Sequence, residues 1–324
     1  MPAIKVEDIL YVRLRAPDLD KMESFLVDFG MQTSAKSDAA LYMRGTDSSH
    51  HIHITEKGAE PGLIGLGFRA ASEADLTAVA HSTGADVEDS DEPGGGKRVR
   101  LTDPNGFQIE VVHGLEQLAP LPVPAPITFN TGASRARQNR LQRVHKGPSH
   151  VKRLGHVALN CVDNNATRDW YAEHLGLIDS DRVVAEPGGP VFGTFMRCDV
   201  GERPVDHHTL LVALGGESSL NHMGFEVHDM DDVGAGQQHL YETDRHHLWG
   251  IGRHTLGGQI YDYWRDPWGH GIEHWTDGDL LDATIPAEEH GAEEALLGQW
   301  GPIPPSTFGQ TTLNEEYAMG KRDN

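Results

Sequence analysis

Apolar and polar positions alternate over residues 5–16, and beyond the turn Ala16-Pro17-Asp18-Leu19-Asp20 the spacing becomes helical over 21–29, with Gly30 as its stop. This predicts a strand, a turn and a helix. The same order returns at residues 154–161, at the turn Val162-Asp163-Asn164-Asn165, and at the helical run 166–175 closed by Gly176. Glycine-punctuated, β-rich stretches follow each helix: 40–44 with 51–54 in the first half, and 191–196 with 208–214 in the second. A strand, a helix and a final strand pair then complete each half. The pattern predicts an α+β fold of four βαβββ modules.

Three short anchors bring out the repeat. In the second half they are Leu154-Gly155-His156-Val157-Ala158-Leu159, Asn221-His222-Met223-Gly224-Phe225 and Asp266-Pro267-Trp268-Gly269-His270-Gly271-Ile272-Glu273. In the first half they are Leu10-Tyr11-Val12-Arg13-Leu14, Ile64-Gly65-Leu66-Gly67-Phe68 and Asp103-Pro104-Asn105-Gly106-Phe107-Gln108-Ile109-Glu110. Tyr11 thus falls opposite His156, Gly65 opposite His222, and Glu110 opposite Glu273. The repeat divides the chain into a first domain, 1–117, and a second, 151–276. Between them, residues 118–150 begin with alternating prolines and turn basic, the signature of an extended linker. The tail, 277–324, has no counterpart in the first half.

Composition narrows the function classes. A net charge of −22 argues against a nucleic-acid partner, which needs clustered Lys and Arg, and favours a small molecule. No apolar run is long enough for a membrane span. The start, Met1-Pro2-Ala3-Ile4-Lys5, has no basic or apolar leader, and two cysteines, Cys161 and Cys198, are too few for a disulfide framework; a cytoplasmic setting is expected. Twenty histidines and abundant carboxylates favour a metal site of nitrogen and oxygen donors.

The repeat says where such a site belongs. Tyr11 and Gly65 show that the fold does not require histidine at those positions, so His156 and His222 read as ligands more readily than as core histidines. Glu273, a carboxylate within an apolar strand, calls for a partner or a metal. Two imidazoles and a carboxylate leave about three positions open on an octahedral metal, an arrangement suited to non-haem Fe(II) working with O₂. Glu110, whose module lacks both histidines, reads as a remnant or a salt-bridge partner. His50, His51 and His53 read as solvated, His246-His247 as candidates for a pocket mouth, and Trp249, Phe192 and Phe195 as an apolar wall or core.

Together with Gly252-Arg253-His254-Thr255 and Tyr261-Asp262-Tyr263, these residues resemble the type I extradiol catechol dioxygenases of the vicinal oxygen chelate superfamily. The resemblance implies modules paired into two tandem domains, with the metal, Fe²⁺ or alternatively Mn²⁺, held by His156, His222 and Glu273 in the second. It implies that His208 acts as acid and base, with His207 the adjacent alternative, and that His254 and Tyr263 hydrogen-bond the substrate. It further implies a catechol-type substrate and O₂, cleavage beside the diol to a hydroxymuconic semialdehyde-type product, and a homo-oligomer. A metal-dependent isomerase or thiol transferase of the same superfamily, or a non-catalytic binding protein, are the other readings; neither requires His208, His254 and Tyr263 together.

Overall fold

The computed structural model describes residues 1–312, so the last twelve residues of the tail lie outside the described residues. The first half runs β1 (Val6–Ala16), α1 (Leu19–Phe29), β2 (Gln32–Lys36), β3 (Ala40–Arg44), β4 (His53–Lys57), β5 (Gly62–Ala70), α2 (Glu73–Thr83), β6 (Val87–Asp89), β7 (Lys97–Thr102) and β8 (Gln108–His113). The second runs β9 (Val151–Cys161), α3 (Asn164–Leu175), β10 (Leu177–Val184), β11 (Val191–Cys198), β12 (Val205–Asp206), β13 (Leu210–Leu214), β14 (Ser219–Val227), α4 (Met230–Glu242), β15 (His246–His254), β16 (Ile260–Arg265) and β17 (Gly271–Thr276). Apart from the short β12, each half is βαβββ twice over, the predicted four modules. Their helices begin alike: Asp18 accepts from the Lys21 N–H and Asp163 from the Ala166 N–H, each satisfying an end group the helix leaves open. α1 and α3 also end alike, on Gly30 and Gly176 in the left-handed region at φ 113° and 71°.

Each half forms one sheet. In the first the order is β2-β3-β4-β1-β5-β8-β7-β6, and the second repeats it with β10-β11-β13-β9-β14-β17-β16-β15 at its centre. Modules meet antiparallel through β1 and β5, and through β9 and β14. The register reproduces the alignment read from the sequence. Tyr11 faces Gly67, which faces Glu110; His156 faces Gly224, which faces Glu273. One step along, Arg13 faces Gly65 where Ala158 faces His222.

The first sheet closes its concave face on a charge network. Buried Glu110 accepts from Tyr11 Oη at 2.8 Å, Arg13 Nη2 at 2.9 Å and Arg100 Nε at 3.1 Å, and Arg98 lies 3.3 Å away. A buried carboxylate needs such partners to offset its desolvation. Glu110 is therefore a salt-bridge partner, as one of its two readings had it.

One apolar core runs through both halves, joining Phe25, Phe29 and Leu66 to Leu154, Tyr171 and Phe225. Residues 118–150 form no helix or strand. The tail, in contrast, forms a small two-stranded sheet with β12 and then joins both edges of the second sheet. β18 (Leu280–Leu281) pairs with β12, β19 (Glu288–Gly291) adds to one sheet edge beside β10, α5 (Ala292–Leu296) follows, and β20 (Gly298–Trp300) adds to the opposite edge beside β15. The chain thereby bridges the two edges of a curved sheet. Among the described residues, no helix is long and apolar enough to cross a membrane.

Candidate metal centre

His156 on β9, His222 on β14 and Glu273 on β17 occupy three neighbouring strands at the middle of the second sheet. Their side chains leave the same face, and one donor atom from each lies within 4.8 Å of the others. His156 Nε2 is 3.2 Å from His222 Nε2 and 2.9 Å from Glu273 Oε2, and His222 Nε2 is 3.8 Å from the same oxygen. All three residues are buried. Gly224 makes room for them: a Cβ there would stand 2.2 Å from His156 Cε1 and 2.8 Å from Glu273 Oε2.

The electrostatics fit a cation. Glu273 is fully buried, yet among the described residues neither of its oxygens has a hydrogen-bond donor of good geometry. Such a carboxylate is costly unless a positive charge meets it. Burial opposes its ionisation, but His156 beside it, helped by His254, prevails and holds its carboxyl below the usual range. Burial lowers His222 to about 3, against the pull of Glu273, so its imidazole is neutral. The Asn221 amide oxygen lies 2.9 Å from His222 Nδ1 and only accepts, which puts the proton on Nδ1 and leaves the Nε2 lone pair for a metal. Two imidazole nitrogens and a carboxylate converging from one side are the donor set of non-haem Fe(II) sites, with further positions open to ligands.

Around these three stand the other residues singled out in the sequence. The His208 ring lies 4.4 Å from that of His156, whereas His207 turns away to Asp181, its Nε2 2.8 Å from Oδ2. The structure thus separates the adjacent pair, and it is His208 that faces the centre. Neither is on a strand: both lie in the bend between β12 and β13, so alternation does not govern them. Burial, then His156, His207, His222 and His254, push His208 well below its ordinary pKa, which keeps it a neutral base. His254 Nε2 is 2.9 Å from Tyr263 Oη and 3.6 Å from Glu273 Oε1. Tyr263 pairs directly opposite Glu273, and burial followed by that carboxylate raises its phenol well above the ordinary value, so it remains a proton donor.

Other expectations change. His50, His51 and His53 are buried, not solvated: His51 packs its ring 4.9 Å from Tyr11 and 5.3 Å from Tyr42, filling the concave face of the first sheet. His247 does not reach the mouth of the site, because its Nε2 contacts Asp262 Oδ1 at 2.8 Å, on the far side of β16 from Tyr261 and Tyr263. His274 alternates away from Glu273, contacting the Phe29 carbonyl at 2.7 Å. Trp249 stacks on Tyr263 at 5.3 Å and Phe195 meets His208 at 5.0 Å, so both line the site, while Phe192 is half exposed. Sequence reasoning missed Phe308, whose ring is 5.8 Å from His222 and 5.1 Å from Tyr263. Nothing around it in the tail has strand or helix periodicity to flag it. Asn221 carried a weak signal, being polar and next to a candidate ligand.

The sequence also matches the model of the Glyoxalase/Bleomycin resistance protein/Dioxygenase superfamily at residues 8–111 and 153–274, one match per half. It is 30% identical over 319 residues, 96% of this chain and 94% of the relative, to metapyrocatechase 2 of Cupriavidus necator. It is 25% identical over 293 residues, 85% of this chain and 90% of the relative, to an iron-dependent extradiol dioxygenase of Rhodococcus jostii. A solved homoprotocatechuate 2,3-dioxygenase from Brevibacterium fuscum has the same fold, with a TM-score of 0.77 at 21% identity over 96% of this chain and 94% of that one. The chain belongs to the Glyoxalase/Bleomycin resistance protein/Dioxygenase superfamily and, within it, to the type I extradiol dioxygenases.

Proposed function

We propose that this protein is an Fe(II)-dependent extradiol dioxygenase that opens a catechol-type ring beside its diol, inserting both atoms of O₂ to give a hydroxymuconic semialdehyde-type product. The observation that carries the reading is the donor-poor, fully buried Glu273 facing two imidazole nitrogens, with His208, His254 and Tyr263 around the same opening. His156, His222 and Glu273 would hold the metal, which would supply a shared binding centre for diol and O₂ and a route for electron density between them; Mn(II) suits the same donors. Residues 1–117 form the metal-free domain, 151–276 the catalytic one, 118–150 the linker and 277–324 the tail.

The protein's own groups do the remaining work. His208, neutral and buried, takes a proton from the diol and returns it later, work suited to an imidazole. Tyr263, kept protonated by burial and by Glu273, donates to a substrate oxygen, and His254 orients that phenol from 2.9 Å. Trp249 and Phe308, 4.8 Å apart, flank the opening with apolar surface that holds a flat ring and excludes water. Two buried free thiols support a cytoplasmic setting, and the exposed Leu280, Leu296, Trp300 and Ile303 of the tail support a homo-oligomer.

The test is direct. The purified chain, loaded anaerobically with ferrous iron, should consume O₂ and form a yellow product when a catechol and air are added. A panel of one-ring, two-ring and trihydroxylated catechols giving no oxygen uptake would refute the activity.

A further inference from the structure

His208 is tied to the protein surface by side chains that no part of the metal site requires. His207 Nδ1 lies 3.2 Å from His208 Nδ1, and His207 Nε2 lies 2.8 Å from Asp181 Oδ2 on β10. The other oxygen, Asp181 Oδ1, is 3.1 Å from Nε2 of His290, which the tail brings to the sheet edge on β19. His207 is pinned on both sides: its N–H donates to the Asp279 carbonyl at 2.9 Å, and its own carbonyl accepts from the Ser180 hydroxyl. The two histidines are buried, while the Asp181 and His290 side chains are 13% and 20% exposed, so the series ends at solvent.

Hydrogen-bond inventory fixes the direction of every link. An ionised carboxylate only accepts, so both nitrogens facing Asp181 carry protons. A neutral His207 protonated on Nε2 has its lone pair on Nδ1, and the contact with His208 then requires the proton on His208 Nδ1. His208 is left with its lone pair on Nε2. Without Asp181 the two rings could exchange these roles, and the base would sit on either nitrogen of His208.

We propose that Asp181 and His207, with His290 bracing Asp181 from the tail, are positioning residues that set His208 as the Nδ1–H tautomer and carry protons between it and solvent; this rests on the reading of His208 as the acid/base group. A proton taken from the diol hydroxyl at His208 Nε2 is balanced by release of the Nδ1 proton to His207 Nδ1, and His207 passes its Nε2 proton to Asp181, which gives it to water. Each group ends with the number of protons it began with. A proton travelling inward reverses each transfer and restores the starting tautomers, so one outward and one inward passage complete a cycle.

The test combines a spectrum with kinetics. In the full-length chain loaded with diamagnetic Zn(II), two-bond ¹H–¹⁵N correlations should show His208 protonated on Nδ1 alone, and Asp181→Asn, which can donate as well as accept, should mix or invert the tautomers. In the Fe(II) enzyme, Asp181→Asn should lower kcat by about 10- to 100-fold, the usual scale for a group that orients a functional histidine, with KM and iron content unchanged. Asp181→Glu should recover part of the loss. A wild-type tautomer and kcat in Asp181→Asn would overturn the proposal. A wild-type kcat in His208→Phe would remove the acid/base reading itself, an outcome distinguished from the first because the zinc-form spectrum judges the tautomer without turnover.

Discussion

Gly224 offers the sharpest trial of the metal centre, because a single methyl group should dismantle it. A Cβ at this position would lie 2.2 Å from Cε1 and 2.4 Å from Nε2 of His156, and 2.8 Å from Glu273 Oε2. Comfortable carbon contacts lie near 3.5–4.0 Å, so the imidazole must retreat by more than about 1 Å. It has little room to do so, with the His208 ring 4.4 Å away and Trp275 behind it at 6.0 Å. Metal–ligand distances tolerate only about 0.2 Å, so Gly224→Ala should lose one ligand or distort all three. The expected cost is at least the 10- to 100-fold in metal affinity typical of disturbed ligand support, which is roughly 1.4–2.7 kcal/mol. Competition of the purified protein against a chromophoric chelator for Fe(II) measures it. Gly234, inside α4 with nothing within 4 Å of its added Cβ, is the control: Gly234→Ala should leave metal binding alone and stabilise the helix by up to about 1 kcal/mol. Iron bound as tightly by Gly224→Ala as by wild type would refute the placement of the ligands.

Further outcomes follow from the same structure. His156→Ala and Glu273→Ala should abolish iron binding, read by metal analysis, while circular dichroism stays native; retention of stoichiometric iron by either would refute its role as a ligand. His208→Phe should keep its iron and turn over about 10²-fold or more slowly, the scale of a lost proton-transfer group, and oxygen-electrode rates decide it. Burial, with His50 assisting at the first, holds His51 at about 3, and burial holds His53 at about 4. Both lie below the unfolded value of about 6.5, so their contribution to stability is full above that pH and is lost as pH falls toward 4 and then 3. At pH 5.5 unfolding should take up nearly two protons from this pair, a slope of roughly 2.5 kcal/mol per pH unit in urea-derived stability, and a flat dependence there would contradict their neutral burial.

Much of the fold was legible because its pattern repeats: alternation gave β1 and, through its counterpart, β9, the aligned anchor gave β14, and helical runs after a turn gave α1 and α3. The candidate ligands were legible by contrast, since the aligned copy carries Tyr11 and Gly65 in place of His156 and His222. The tail was not. β19 is Glu-Glu-His-Gly and β20 is Gly-Gln-Trp, and such edge strands are held by ladder hydrogen bonds to β10 and β15 without an alternating apolar face to announce them. The burial of His51 also escaped the sequence, because its Gly/Ser neighbourhood looks solvated while Tyr11 and Tyr42, distant in the chain, supply the cover. The orientation of His208 over His207 depended on a bend and on Asp181, which one-dimensional spacing does not encode.

The paired positions Arg13–Gly65 and Ala158–His222 place one bulky and one small residue across the same strand boundary, with the bulky residue on opposite strands in the two halves. In one half the positive charge opposite a buried glutamate is covalently part of the protein, a guanidinium that needs no supply and leaves no vacancy. In the other, the strand that could have carried it has only a methyl group, and the facing imidazole is the proposed ligand of a charge drawn from solution. Under the proposed function the chemistry depends on which strand was left small, and Ala158→Arg combined with His222→Gly, which restores the Arg–Gly pairing of the first half, should give a chain with native circular dichroism that binds no iron.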